Sequence, residues 1–249
     1  IARANAIAPL VALAKAGTDA QKEKAAGALW ALAVNADNKV AIARANGIAP
    51  LVALAKAGTD AQKEYAAAAL WNLAVNADNQ VAIARADGIA PLVALAKAGT
   101  DAQKEKAAGA LWALADNADN QVAIARANAI APLVALAKAG TDAQKEYAAA
   151  ALWNLALNAD NKVAIARADG IAPLVALAKA GADAQKEYAA AALWALAVNA
   201  DNQVAIARAD GIAPLVALAK AGTDAQKEYA AAALWTLAVN ADNKVAIAR

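Results

Sequence analysis

Asp60, Lys63 and Glu64 fall within five residues at the expected start of a helix, a grouping that in a cleft would suit proton transfer. The same residue types return at a fixed interval along the whole chain, so no single copy is marked out as a reaction centre. Acids in a first helical turn complement the helix dipole, and these charges read as a solvated face. Gly58-Thr59-Asp60 before that helix resembles an anion seat on free N–H groups. It lacks the glycine density of a phosphate loop, and Asp60 would repel the ligand, so helix capping is the expected role. His, Cys, Met and Phe are absent. Their absence excludes disulfides, thiolate or imidazole metal sites, and Ser-His or Cys-His catalysis. No catalytic residue, metal ligand set or cofactor is expected, and the chain reads as non-enzymatic.

Lys39, Arg44 and Lys56 recur as isolated basic positions among acids. Twenty-four Lys and Arg against 22 Asp and Glu leave a net charge of +2. That balance argues against a phosphate-neutralising surface, so no nucleic-acid partner is expected. Hydrophobic residues make up 61% of the chain, but the excess is alanine. No stretch approaches 18 apolar residues without a charge, so no membrane span is expected. The opening residues show no secretory signal pattern. The composition suits a soluble chain and assigns no compartment.

The elements behind these residues are copies of one unit. Pro9, Pro50, Pro91, Pro132, Pro173 and Pro214 are 41 residues apart, and so are the six tryptophans. Six such units and three further residues account for all 249 positions. A period of this length signals stacked repeats that share a core. We place the repeats at roughly 6–46, 47–87, 88–128, 129–169, 170–210 and 211–249, the last incomplete, within one solenoid spanning 1–249.

Punctuation cuts each unit into three helices. Asp78 is placed to cap a short first helix from Asn79 to about Ala86, which stops at Asp87-Gly88 with glycine left-handed. Pro91 suits the first turn of a second helix that Gly99 ends. Thr100 with Gln103 fits a capping box for the longest helix, about Asp101 to Asp116, with Asn117 as a left-handed terminator. Leu51, Val52, Leu54, Leu70, Leu73, Val81 and Ile83 are the expected core of one unit.

A 41-residue, three-helix unit with Gly before a Pro-started helix resembles an armadillo repeat. The motif IAPLVALAKAGTDAQKEYAAAALWNLAVNADNKVAIARADG is similar to repeats of plant U-box armadillo proteins. The Leu29, Trp30, Leu32 segment resembles the third helix of importin-α, β-catenin and designed armadillo repeat proteins. The resemblance covers the whole chain and implies an all-α, right-handed α-solenoid of six repeats. The units are nearly identical, with few departures such as Asp116, Leu157 and Ala182. That fits an engineered consensus-type array or a recently amplified one. Repeats one and three pair Lys24 with Gly27 and Lys106 with Gly109, where the others pair Tyr with Ala.

The resemblance also implies a function. Armadillo third helices line a concave groove, and there Trp30, Trp71, Trp112, Trp153, Trp194 and Trp235 would flank an extended peptide or protein segment. The Asn that clamps the peptide backbone four residues after the Trp is missing. Val34, Val75, Asp116, Leu157, Val198 and Val239 stand there instead. The acid three residues before the Trp is missing too, so recognition of nuclear-localisation peptides does not carry over. Asp116 is the one acid in the groove. Asn72 and Asn154 are expected to face the neighbouring repeat. The alternative is a structural building block with no ligand. The chain opens at Ile1-Ala2-Arg3, the tail of a first helix, and closes within the body of the same helix. Neither terminal repeat has a polar outer face, so head-to-tail self-association is expected.

Overall fold

The computed structural model describes residues 5–248. Ile1, Ala2 and Arg3, read above as a helix tail, and Arg249 lie outside the described residues. One compact unit reaches to Ala129 and a second begins at Ile130. The first holds α1 (Ile7–Ala16), α2 (Asp19–Leu32), α3 (Ala36–Arg44), α4 (Ile48–Ala57), α5 (Asp60–Ala74), α6 (Ala77–Arg85), α7 (Ile89–Ala98), α8 (Asp101–Leu114) and α9 (Ala118–Arg126). The second holds α10 (Ile130–Ala139), α11 (Asp142–Leu155), α12 (Ala159–Arg167), α13 (Ile171–Ala180), α14 (Asp183–Ala197), α15 (Ala200–Arg208), α16 (Ile212–Ala221), α17 (Asp224–Leu237) and α18 (Ala241–Ala248). The described elements are all helices, in the order Pro helix, Trp helix, short helix. Among them no single helix is long and apolar enough to cross a membrane.

Local chemistry sets each boundary. Thr100 Oγ1 accepts from the Gln103 N–H at 3.3 Å, and Gln103 Oε1 accepts from the Thr100 N–H at 3.1 Å. This is the capping box expected from the sequence. The short helix is capped differently: Asn76, not Asp78, is the N-cap, its Oδ1 accepting from the Asn79 N–H at 3.1 Å. Asn117 is likewise a cap in extended conformation (φ −91°) and not a left-handed terminator. The left-handed residue at the next corner is Asp87 (φ 57°), while Gly88 sits at φ −73°. Asp and Asn tolerate that region because their short side chains bond locally. Gly88 is there for space, since a methyl group on it would lie 2.7 Å from Ile83 Cγ2.

Packing within each unit is uneven. Neighbouring Trp helices, such as α5 and α8 or α14 and α17, meet along much of their length, whereas neighbouring Pro helices touch little. The contact surface of the Trp helices is alanine: Ala66, Ala67, Ala68 and Ala69 are all buried. Side chains this small let axes approach at the short end of the usual ~8–10 Å range. Leu51, Leu70, Leu73 and Ile83 are fully buried and Val52 and Leu54 nearly so, whereas Val81 is only half-buried.

Buried amides cross these interfaces. Gln103 Nε2 donates to the Asp60 carbonyl of the preceding repeat at 2.9 Å, and Gln62 does the same to Asp19. Asn79 Nδ2 donates to Leu73 O at 3.1 Å and to Lys39 O at 3.3 Å. Gln80 Nε2 joins Ala74 O to Ala113 O of the following repeat, both at 3.0 Å. In the second unit Gln185, Gln226, Asn202 and Asn243 make the corresponding bonds. A buried amide left unmade would cost about 1–3 kcal/mol, so these groups act as register pins.

One cap is incomplete. Ala182 replaces the capping threonine and keeps only its backbone half, accepting nothing from the Gln185 N–H. Its backbone (φ −66°, ψ 167°) already matches that of Thr100 (φ −64°, ψ 167°). Ala182→Thr is therefore expected to stabilise the chain by about 1 kcal/mol, read as a higher denaturant midpoint at unchanged slope.

Candidate functional site

The tryptophans lean along the stack. Trp71, on α5, lies flat on Gly109 of α8: a methyl group on that glycine would sit 2.7 Å from the indole. Lys106 Nζ, ion-paired with Glu105, stands 5.8 Å from the centre of the Trp71 ring, within cation–π range. Where the next repeat carries Tyr and Ala, the indole tilts against the phenol. Ring centroids are 5.9 Å apart for Trp30–Tyr65, 6.2 Å for Trp153–Tyr188 and 6.1 Å for Trp194–Tyr229, at interplanar angles of 32–33°. Trp153 also meets Tyr229 edge-on at 5.4 Å. Trp71, Trp112, Trp153 and Trp194 are half-buried, whereas Trp30 is 37% and Trp235 78% exposed. The Trp153 indole N–H is buried without an acceptor among the described residues.

The most exposed apolar side chains on these helices are others. In the first unit Val34 and Val75 are 70% and 62% exposed, and Asp116 occupies the next equivalent position, also exposed. In the second unit Leu157, Val198 and Val239 form the matching row. Each stands four residues after its Trp and so shares its face, just beyond the last covered turn. Sequence reasoning recorded these residues only as absent clamps. The available signal was an apolar side chain immediately before a capping Asn, where helix C-termini usually meet water. The neighbouring Asn35, Asn76 and Asn199 are occupied as N-caps. Asn72 faces its neighbour as expected, donating to the Trp30 carbonyl at 3.2 Å, and Asn154 is buried.

Acids flank the aromatic row in the second unit. Burial raises the Tyr188 phenol above the usual tyrosine value, with Glu187 and Glu146 adding to the shift. Tyr229 is raised by burial and then by Glu187 and Glu228, and burial raises Glu146. On the other side of each unit, furrows separate successive Pro helices, with volumes of about 810 and 930 Å³ in the first unit and 1000 and 880 Å³ in the second. Their floors are alanine and proline, and their rims carry both Lys and Asp, such as Lys56 and Asp60. Among the described residues no group of His, Cys, Asp or Glu is arranged to hold a metal ion.

Two outcomes follow from the aromatic packing. Gly109→Ala is expected to cost about 1–3 kcal/mol by forcing Trp71 off its seat. Gly27→Ala, whose methyl would meet only the Tyr65 ring at 3.7 Å, is expected to be neutral or slightly stabilising; urea unfolding of both variants checks the contrast. The raised phenols also set a pH dependence. The folded chain holds these protons above pH 10, where the unfolded chain releases them, so stability is lost as pH rises from about 10 through the raised value. Tyr188→Phe is expected to lose less stability than the parent between pH 9 and pH 11, roughly the window on either side of the unperturbed phenol value.

A family profile described as Armadillo/beta-catenin-like repeat matches residues 35–75 and 117–157. Among curated proteins no match is found. Solved structures match along nearly the full chain. An engineered protein of the Northeast Structural Genomics Consortium superposes with a TM-score of 0.89 at 28% identity, covering 94% of this chain and 96% of its own. Computationally designed armadillo repeat proteins for modular peptide recognition give 0.86 at 22% identity, covering 92% and 99%. A designed armadillo repeat protein in complex with the peptide (KR)4 gives 0.84 at 21%, covering 93% and 99%. A three-helix unit, a Pro-started helix, a corner before it and these matches agree: residues 35–75 and 117–157 match the armadillo repeat, and the chain shares the fold of designed armadillo repeat proteins.

Proposed function

We propose that the chain is a non-enzymatic scaffold that holds an extended peptide or protein segment along the Trp-helix face of each unit. The observation that carries this reading is the row of exposed apolar side chains beside the indoles: Val34 and Val75 in one unit, Leu157, Val198 and Val239 in the other. Large exposed apolar side chains recurring on one face mark interaction surfaces. Trp30, Trp71, Trp112, Trp153, Trp194 and Trp235 form the wall of that face, and Trp30, Trp71, Trp153 and Trp194 lean toward the next repeat. The designed relative with bound (KR)4 supports the mode of binding. The side chains here differ in chemistry, and they favour a ligand with apolar residues at alternate positions. Extended chains project alternate side chains to one side, which suits a row of identical subsites.

Asp116 gives the first unit a preference the second lacks. Its carboxylate stands where the other repeats carry Val or Leu, and it favours a Lys or Arg in the ligand at that place. The test is a tryptophan-fluorescence titration with two peptides of alternating apolar residues, one of them carrying a single Lys. Saturable shifts with both peptides are expected. Asp116→Val is expected to weaken only the Lys peptide, roughly two- to tenfold at low salt, as fits an exposed charge contact. No saturable response to either peptide would overturn the scaffold reading. Equal loss for both peptides would remove Asp116 from the site.

A further inference from the structure

We propose that Asn46 is a site of spontaneous deamidation through a cyclic imide with Gly47, and that opening of the α3–α4 corner sets its rate. Asn46 is the one asparagine of the chain followed by glycine, which puts no side chain in the way of a nitrogen approaching Cγ. The backbone nitrogen of Gly47 attacks the side-chain carbonyl carbon of Asn46. A C–N bond closes a succinimide ring, and the side-chain nitrogen leaves as ammonia, taking the Gly47 proton with it. Water then opens the ring at either carbonyl, leaving an aspartate or an isoaspartyl link.

The fold presents the electrophile and withholds the nucleophile. Asn46 is exposed, and its amide makes no hydrogen bond within the described residues. The capping asparagines differ, since Asn35 and Asn76 hold their Oδ1 atoms on the amides of Asn38 and Asn79. Gly47 is buried, and its N–H donates to Ile42 O at 2.9 Å, the bond that closes the corner around the left-handed Asn46 (φ 58°). Attack needs the Gly47 nitrogen free of that bond. The folded chain therefore reacts only through the fraction of molecules whose corner is open. Asn128 stands at the same corner two repeats later (φ 61°), but Ala129 follows it and the methyl crowds the approach.

The two products have different consequences. Asp87, Asp169 and Asp210 already occupy this corner at φ 57°, so the aspartate product keeps the fold. It also adds a carboxylate to the furrow lined by Lys15, Asp19 and Lys22, giving it the charge balance of the next furrow, where Asp87 holds this place. The isoaspartyl link inserts a methylene into the main chain beside Gly47, where even a methyl group would lie 2.7 Å from Ile42 Cγ2. That product loosens the corner.

Peptide mapping by mass spectrometry, on the 249-residue polypeptide held in mildly alkaline buffer with and without urea, tests this. Asn46 is expected to convert before any other asparagine, and at least about tenfold more slowly folded than in urea. Ile42 is fully buried, and Ile42→Val removes one methylene beneath the corner. It should speed conversion in the folded chain roughly two- to tenfold, raise Gly47 amide exchange by the same factor, and change nothing in urea. Asn46→Asp should melt with the parent. Equal rates in both solvents overturn the proposal, as does a folded chain in which Asn46 never converts or another asparagine reacts first. So does an Ile42→Val chain whose Gly47 amide exchanges faster while Asn46 reacts no faster.

Discussion

Alanine-to-alanine contact between neighbouring Trp helices decides where everything bulkier goes. With Ala66 to Ala69 buried in the α5 interfaces, side chains this small let neighbouring helices approach closely. The indoles are left on the edge of the contact, where they cover the next helix or tilt against its phenol. The Pro helices of the same repeats carry Leu and Val inward and alanine outward, and they stay apart. The furrows between them and the crowded aromatic row are two results of one difference in side-chain size. Close packing of this kind leaves little room for adjustment.

Alanine contacts alone carry little register information, because one methyl fits a groove about as well as the next. The buried amides supply it. Gln103 closes its own helix cap with one end and reaches the Asp60 carbonyl with the other, so capping and stacking depend on one side chain. Gln80 spans from Ala74 to Ala113 and ties three backbone segments together. Slipping the stack by a single residue would leave these donors buried and unpaired, a penalty that apolar contacts do not impose. The repeat thus divides its labour: small apolar residues bring the helices together, and amides choose the alignment.

This division explains what was legible in the sequence. Anything encoded within one unit could be read: the 41-residue period, the Pro-started helix, the Thr-Gln box and the Leu core. The short helix starts two residues earlier than expected: Asn76, whose kind reads in the sequence as a terminator of the preceding helix, has the extended backbone of an N-cap and takes the place expected of Asp78. Gly88 was taken for the left-handed residue because glycine usually is. Here Asp87 takes that conformation and Gly88 makes room for Ile83. Where Ala129 replaces the glycine, its N–H bond to Ile124 lengthens to 3.2 Å from the 2.9 Å at Gly88, a sign of that crowding. The amide ladder and the lean of the indoles were not legible, since both need the position of the neighbouring repeat.

The covariation of Lys with Gly and Tyr with Ala gains a cause at the same level. An indole arriving from the preceding repeat needs either a bare backbone to lie on, with a cation above it, or a phenol to lean against. Gly109 with Lys106 provides the first and Ala191 with Tyr188 the second. A mixed pair provides neither: Lys with Ala puts a methyl under a flat ring, and Tyr with Gly gives up helix propensity for space the tilted ring does not use. The two positions are three residues apart on one helix, yet what couples them is a side chain 35 residues earlier, as Trp71 is to Lys106. Pairing within a repeat is therefore a record of contact between repeats.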